Sequence, residues 1–434
     1  MGMMATQGQR NTIPFTYILS YAAFWAGLAS FDGIFSIYLT KSLGWKEYNV
    51  FLPTAFMHVL VALFQLPTGI IADKYGRVKS ALFGFFLTSV SFVLLGVFPE
   101  LPEAKFIFPF FFVTIFSLGW SFVSGSFDAW FVDSLKAKDK DLDLTRIFSL
   151  KKICINSSIF LSTILYTQLS KYGMMRSIWL ISALLTFMPV FLILRSNILK
   201  IEKNNPSPSF GASLSFKGLG KLIFSEKFFL AFCLMSASLY LLPAVLSQGM
   251  MAHAMSLAGR NPLNDAVFDF FWPATFLASL VGSFLSSRYK FVSTFAKNYL
   301  VIFLSAVPLV TVLMYGLFFD VNKASLFNFF FVCVGVRVIN GFISPAIENE
   351  LNKSIHHTTS RATLLSFYGL MIEGVTGAFG LILLFFLNIE SKITDLWVLF
   401  SVVSLLLLTV SLVLIVFRGR VTQIAQQNVE SELL

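Results

Sequence analysis

Residues 69–79 read Gly-Ile-Ile-Ala-Asp-Lys-Tyr-Gly-Arg-Val-Lys. This short charged run stands between two long apolar stretches. Asp73, Lys74, Arg77 and Lys79 fall where two membrane-crossing helices must reverse direction. Gly69 and Gly76 allow close backbone approach and a tight turn. The bland alternative is an ordinary positive loop on the cytoplasmic side, where Lys and Arg are common anyway.

The rest of the chain decides that these flanks are membrane spans. The chain is 56% hydrophobic and only 12% charged, with a mean hydropathy of +0.79. A soluble domain carries about 25% charged residues. The 52 phenylalanines suit an aromatic cavity, but they suit a lipid-facing surface equally well. A net charge of +10 would fit a nucleic-acid partner if it were concentrated on one surface. It is instead spread over alternate loops, as membrane orientation requires, so no nucleic acid is expected. Cys154, Cys233 and Cys333 lie in apolar stretches with no C-x-x-C spacing, which gives neither a disulfide framework nor a metal site. Thirteen mostly polar residues precede the first span, and no cleaved signal peptide is read from them.

A span needs about 20 apolar residues. Twelve are expected, at 14–38, 48–71, 79–98, 106–131, 147–169, 175–195, 228–249, 266–286, 297–318, 325–350, 362–387 and 395–417. With both termini cytoplasmic, 23 Lys and Arg fall on the cytoplasmic side and 8 outside, leaving Arg337 as the only basic residue inside a span. The longest polar interruption, 196–227, contains Asn204-Asn205-Pro206-Ser207-Pro208-Ser209, a flexible break. Leu214, Phe216, Leu219, Leu222 and Ile223 follow, mixed with Lys217, Lys221 and Lys227, which predicts an amphipathic segment on the inner leaflet. The expected organisation is a six-helix bundle over 1–195, this linker over 196–227, a second six-helix bundle over 228–417 and a tail over 418–434. A faint repeat agrees: Gly282-Ser-Phe-Leu-Ser-Ser-Arg-Tyr-Lys290 follows span 8 as Gly69–Arg77 follows span 2, with Ser286 in place of Asp73.

The 69–79 stretch resembles the G-x-x-x-D-R-x-G-R-R/K signature between helices 2 and 3 of the major facilitator superfamily, departing from it at Lys74 and Val78. The resemblance extends over essentially the whole chain. Two further segments, Ser124–Leu135 at the end of span 4 and Arg361–Ser366 at the start of span 11, are similar to segments of bacterial efflux-type members. It implies an all-α, twelve-helix, two-bundle protein in a bacterial inner membrane, working by alternating access around a central site. Helices 1, 4, 7 and 10 would line the cavity. It also implies a gate of Gly69, Asp73, Arg77 and Asp133 holding an outward-facing state.

An ionisable group inside the membrane is a functional hypothesis by default. In span 10, Arg337, Asn340, Gly341, Ser344 and Glu348 fall within an arc of about 100°; in span 4, Ser117, Ser121, Ser124 and Asp128 fall within about 60°. Small polar residues also glue helices together, but Arg337 and the two acids on these faces favour a water-filled cavity. Arg337, Asn340, Ser344, Ser121, Ser124, Trp25 and Tyr240 form the expected substrate-binding set. Arg337 and Glu373 lie about 16 and 18 Å into their helices from opposite ends, near the midplane. They are positioned to pair, as a structural bridge or as a switch. Asp32 lies about 27 Å past Pro14, toward the outside, as a proton acceptor or as a simply hydrated interfacial acid. Asp32, Glu373 and Asp128 are the candidate proton carriers. His58 reads as a helix contact, and His356-His357 alone give weak grounds for metal. No nucleophile–base pair or phosphate loop is present, so no enzyme, cofactor or metal is expected.

The leading expectation is therefore a proton-coupled antiporter exporting a small organic molecule, embedded in lipid and acting as a monomer. Import of an anionic metabolite, such as a carboxylate or siderophore, is the alternative. A transporter-fold receptor is the third reading.

Overall fold

The computed structural model describes residues 7–45, 51–98, 106–136, 144–196, 198–199, 229–241, 263–288, 306–315, 326–355, 361–387, 398 and 401–414. All regular structure among them is helical. In order these helices are α1 (Gln7–Ile37), continued by one π-helical stretch (Tyr38–Ser42), α2 (Phe51–Tyr75), α3 (Arg77–Val97), α4 (Phe108–Ser124), α5 (Ser126–Lys136), α6 (Thr145–Lys171) and α7 (Met175–Arg195). There follow α8 (Phe229–Leu241), α9 (Leu263–Arg288), α10 (Ala306–Tyr315), α11 (Leu326–Ser354), α12 (Arg361–Leu387) and α13 (Ser401–Leu414). Among the described residues, seven stretches are long and apolar enough to cross a membrane. In lipid a backbone must bond within its own segment, which is why apolar runs of this length fold as helices. Leu161, Leu184, Phe191 and Leu194 stay exposed on their outer faces, as a lipid-facing surface requires.

Two boundaries differ from the sequence reading. The turn after span 2 is a single residue: α2 runs on to Tyr75 and α3 begins at Arg77. Gly76 between them has φ +114°, a conformation that glycine alone adopts without strain. Its N–H still bonds Ala72 O at 3.0 Å, and Ser80 N–H bonds Gly76 O at 3.1 Å, so the reversal leaves few orphan groups. The charged residues expected in a loop are therefore held on helix ends. Span 4 is broken at Gly125 into α4 and α5. Ser126 bonds back to Phe122 O across the break, a side-chain bond of the kind that bends helices.

Within the N-terminal helices, α3 packs on α4 and α7, and α1 on α6 and α7. Phe31, Phe35, Phe92, Phe112, Phe116 and Trp179 interlock there. Two seams join these helices to the C-terminal ones: α2 against α12, and α6 against α9. The amphipathic segment expected within 214–227, the histidines at 356–357 and the Lys290 end of the repeat lie outside the described residues.

Candidate functional site

The end of α2 brings Asp73 to the first turn of α12. Its carboxylate accepts bonds from Thr363 N–H at 2.8 Å, Thr363 Oγ1 at 2.7 Å and Ala362 N–H at 3.3 Å. These are the N–H groups that a helix start leaves without partners, and an anion there is favoured by the helix dipole. One turn on, Arg77 donates to Asp73 from Nε at 2.9 Å and Nη2 at 2.8 Å. Its Nη1 donates to Asp133 of α5. Asp133 in turn lies 2.6 Å from Arg361 Nε, an ionic contact without hydrogen-bond alignment. Arg361 also donates to Asn352 O at 3.2 Å and Ile355 O at 3.1 Å. Arg77 and Arg361 are each 1% exposed. The chain Asp73–Arg77–Asp133–Arg361 thus alternates acid and base and crosses from α2, α3 and α5 to α12. Gly69 and Gly125 make the approach possible. A Cβ on either would strike Ser366 Oγ and come within 3.0 and 3.2 Å of Ala362 O. All four expected gate residues are in this one place.

A second network lies deeper from the same end. Lys151 is six residues into α6 and Glu348 six residues before the end of α11, about 9 Å in from each. Lys151 Nζ reaches Asp128 Oδ1 and Glu348 Oε2, both at 3.3 Å, and Tyr17 Oη at 3.2 Å. It lies over the Tyr21 ring at 4.8 Å. Tyr17 donates to Asp128 and stacks on Phe131. Lys152 reaches Glu348 Oε1 at 3.2 Å and Tyr240 Oη at 3.4 Å. Asp128 and Tyr240, expected near the central cavity, therefore belong to a lysine cluster that ties α1, α5 and α6 to α8 and α11. Arg337 is not the only basic residue within a span, because Lys151 is 6% exposed inside α6. The sequence held the signal: both lysines fall within the span drawn over 147–169, yet the charge count places them with the loop.

The remaining expected residues are spread along the interior. Glu373 meets His58 Nδ1 at 2.5 Å rather than Arg337, which lies over the Phe276 ring at 5.3 Å. Height along two helices brought Glu373 and Arg337 to one level, but α12 packs on α2 and α11 packs on α9. Ser117 and Ser121 bond the α2 backbone at Met57 O and Val61 O, both at 3.3 Å, and Ser124 exchanges bonds with Gln65. These serines join α4 to α2. Gly341 lies against Ser279 of α9, Asn340 is half-buried and Ser344 is buried. Trp25 is half-buried and meets Trp120 edge to face at 5.2 Å. Asp32 lies in α1, and its side chain is outside the described residues.

A sequence model described as the Major Facilitator Superfamily matches residues 15–381. Among solved structures, a bacterial homologue of the iron transporter ferroportin, in an outward-facing state, aligns at TM-score 0.67 and 17% identity, covering 94% of this chain and 99% of that one. The POT family transporter PepTSo aligns at TM-score 0.66 and 13% identity, covering 94% and 98%. The nucleoside transporter NupG aligns at TM-score 0.60 and 15% identity, covering 93% and 100%. Identities this low establish likeness of fold. Among curated proteins no sequence match was found.

Proposed function

The chain belongs to the major facilitator superfamily, and from that premise we propose a proton-coupled antiporter that exports a small organic molecule across a bacterial inner membrane. It is a multi-pass membrane transporter and not an enzyme. The observation that carries the mechanism is the Asp73–Arg77–Asp133–Arg361 chain. Strong, geometrically specific contacts across a seam between two packed bundles suit a two-state gate. In this reading the Asp73 end is cytoplasmic and is closed here, and the lysine network forms a second barrier behind it. The efflux reading is supported by the meeting of the two efflux-like segments: Gly125 lies against Ala362 and Ser366, and Asp133 against Arg361. Trp25 and Trp120, half-buried and meeting edge to face, are the aromatic side chains proposed to meet a lipophilic compound. Glu373 and Asp32 are the proposed proton groups, with Asp128 next.

Arg337 favours a second reading, import of a carboxylate. A guanidinium stays charged in proteins and grips a carboxylate with two parallel bonds. Arg337→Lys would lose that fork and weaken such an anion. Inside-out and right-side-out vesicles, assayed with lipophilic organic probes and with carboxylates, separate the readings. Efflux by antiport predicts that inside-out vesicles with an acidic lumen accumulate a lipophilic probe, and that collapsing the pH gradient abolishes it. Carboxylate uptake into right-side-out vesicles under an acidic exterior, without accumulation of lipophilic probes, would overturn efflux.

A further inference from the structure

We propose that His58 and Glu373 form one proton-binding site, in which His58 Nε2 takes the proton and Glu373 positions the ring and balances its charge. This rests on the proton-coupled reading and assigns that role at the Glu373 position to a residue the sequence leaves as a helix contact.

The geometry starts with the α2–α12 seam. A Cβ at Gly377 would lie 2.9 Å from Val59 N and 3.1 Å from His58 C, and one at Gly380 would lie 3.0 Å from Ala55 Cβ. The two helices touch backbone to backbone at this level, so a side chain from each must meet its partner directly. His58 Nδ1 and Glu373 Oε2 meet at 2.5 Å. The two side chains remain 14% and 17% exposed, so the pair is held by packing without being fully enclosed.

The pairing decides the chemistry. A carboxylate offers only acceptors, so Nδ1 carries the hydrogen and donates it to Oε2. The neutral ring then keeps its lone pair on Nε2, and that atom gains or loses the proton. Loaded, the site is imidazolium against carboxylate, with no net charge. Unloaded, it is neutral imidazole against carboxylate, with one net negative charge. The two states differ by one unit of charge, so they suit surroundings of different polarity. Occupancy therefore changes with those surroundings, as a coupling site requires.

Among the described residues, the other charges on the packed elements stand toward the Asp73 end. On α2, Asp73 is 15 residues from His58, about 22 Å along the helix, with Lys74 and Tyr75 beyond it. Arg77 and Lys79 open α3, Asp128, Asp133 and Lys136 lie in α5, and Arg361 opens α12. Tyr368 of α12 is five residues from Glu373, about 140° around the helix, and interacts with Tyr240 of α8. Helix α4, which also packs on α2, has no ionisable residue.

The test is nitrogen-15 NMR on the full chain, labelled at histidine and held in lipid nanodiscs, from about pH 5 to about pH 9. The chain has four histidines, so His58→Gln assigns the His58 signals by their loss. The expected result is a Nδ1 that keeps its proton throughout, with Nε2 alone titrating. Glu373→Gln should abolish that fixed tautomer while His253, His356 and His357 stay unchanged. A titrating Nδ1, an Nε2 that never titrates in this range, or an unchanged tautomer in Glu373→Gln overturns the proposal. If the variant does not insert, the wild-type titration alone decides. The readout is the proton on the ring rather than flux. A fixed tautomer in a chain whose transport ignores a pH gradient would thus fail the coupling reading and leave the site standing.

Discussion

The turn at Gly69–Arg77 and its faint second copy at Gly282–Lys290 each reach across a seam, and they do so with unlike chemistry. In the first copy Asp73 caps the start of α12 and holds Arg77. In the second, Ser286 stands at the equivalent position, and its hydroxyl meets Ser149 of α6 at 3.3 Å. Asn156 adds bonds to Ser279 and Ser283 along the same seam, at 3.1 and 3.3 Å. The second copy has lost its acid, and the charge on that side comes from Lys151, Lys152 and Glu348 instead. One seam is thus closed by a planar, permanently charged guanidinium chain and the other by hydroxyl and amide contacts backed by lysines. Arginine holds a carboxylate in fixed geometry, whereas lysine is a compact charge on a flexible stem. The first seam should therefore be the stiffer gate.

The largest effect is expected from Arg77→Met, which leaves the buried Asp73 without its cation and Asp133 with Arg361 alone. Breaking a buried pair from one side costs about 3–5 kcal/mol, so the melting temperature of the purified protein should fall sharply. A near-wild-type melt would show that the carboxylates find other cations. Asp73→Asn is milder, since the amide still accepts from α12. It should slow turnover while leaving affinity for a transported probe within a few-fold. A large loss of affinity at normal turnover would place Asp73 at the substrate instead.

At the second seam, Glu348→Gln removes the charge that two lysines share. Asp128 still meets Lys151, so a loss of about 1–3 kcal/mol is expected, smaller than for Arg77→Met. Equal losses would erase the contrast between the seams. Ser286→Ala should do least, about 0.5–1 kcal/mol for one neutral hydrogen bond. A larger loss would make the second copy a gate in its own right.

The sequence made the first seam legible and left the second dark. Asp73 and Arg77 lie four residues apart in a stretch whose spacing resembles a family signature, and Asp133 could be placed by its height on span 4. Lys151 and Glu348 are 197 residues apart, and no local pattern joins them. His58 and Glu373 are separated by 315 residues. Position along a helix gave their depth, but only the packing of α2 on α12 gave their azimuth, and so Glu373 met His58 rather than Arg337. The all-helical membrane fold was legible because lipid forces long apolar runs into helices. The one-residue turn at Gly76 was not, because charged residues at a reversal read as a loop until their partners are seen.

The central claim is that the Asp73–Arg77–Asp133–Arg361 chain holds one end of the transporter closed. Pulsed dipolar EPR between spin labels at Tyr75 and Lys353 tests it most directly, because these residues flank the chain and are 62% and 40% exposed. Cys154, Cys233 and Cys333 are first replaced. The account predicts one short distance in the background protein and a second, longer population when Asp73→Asn is added. An unchanged single distance in Asp73→Asn, alongside slowed transport, would contradict it.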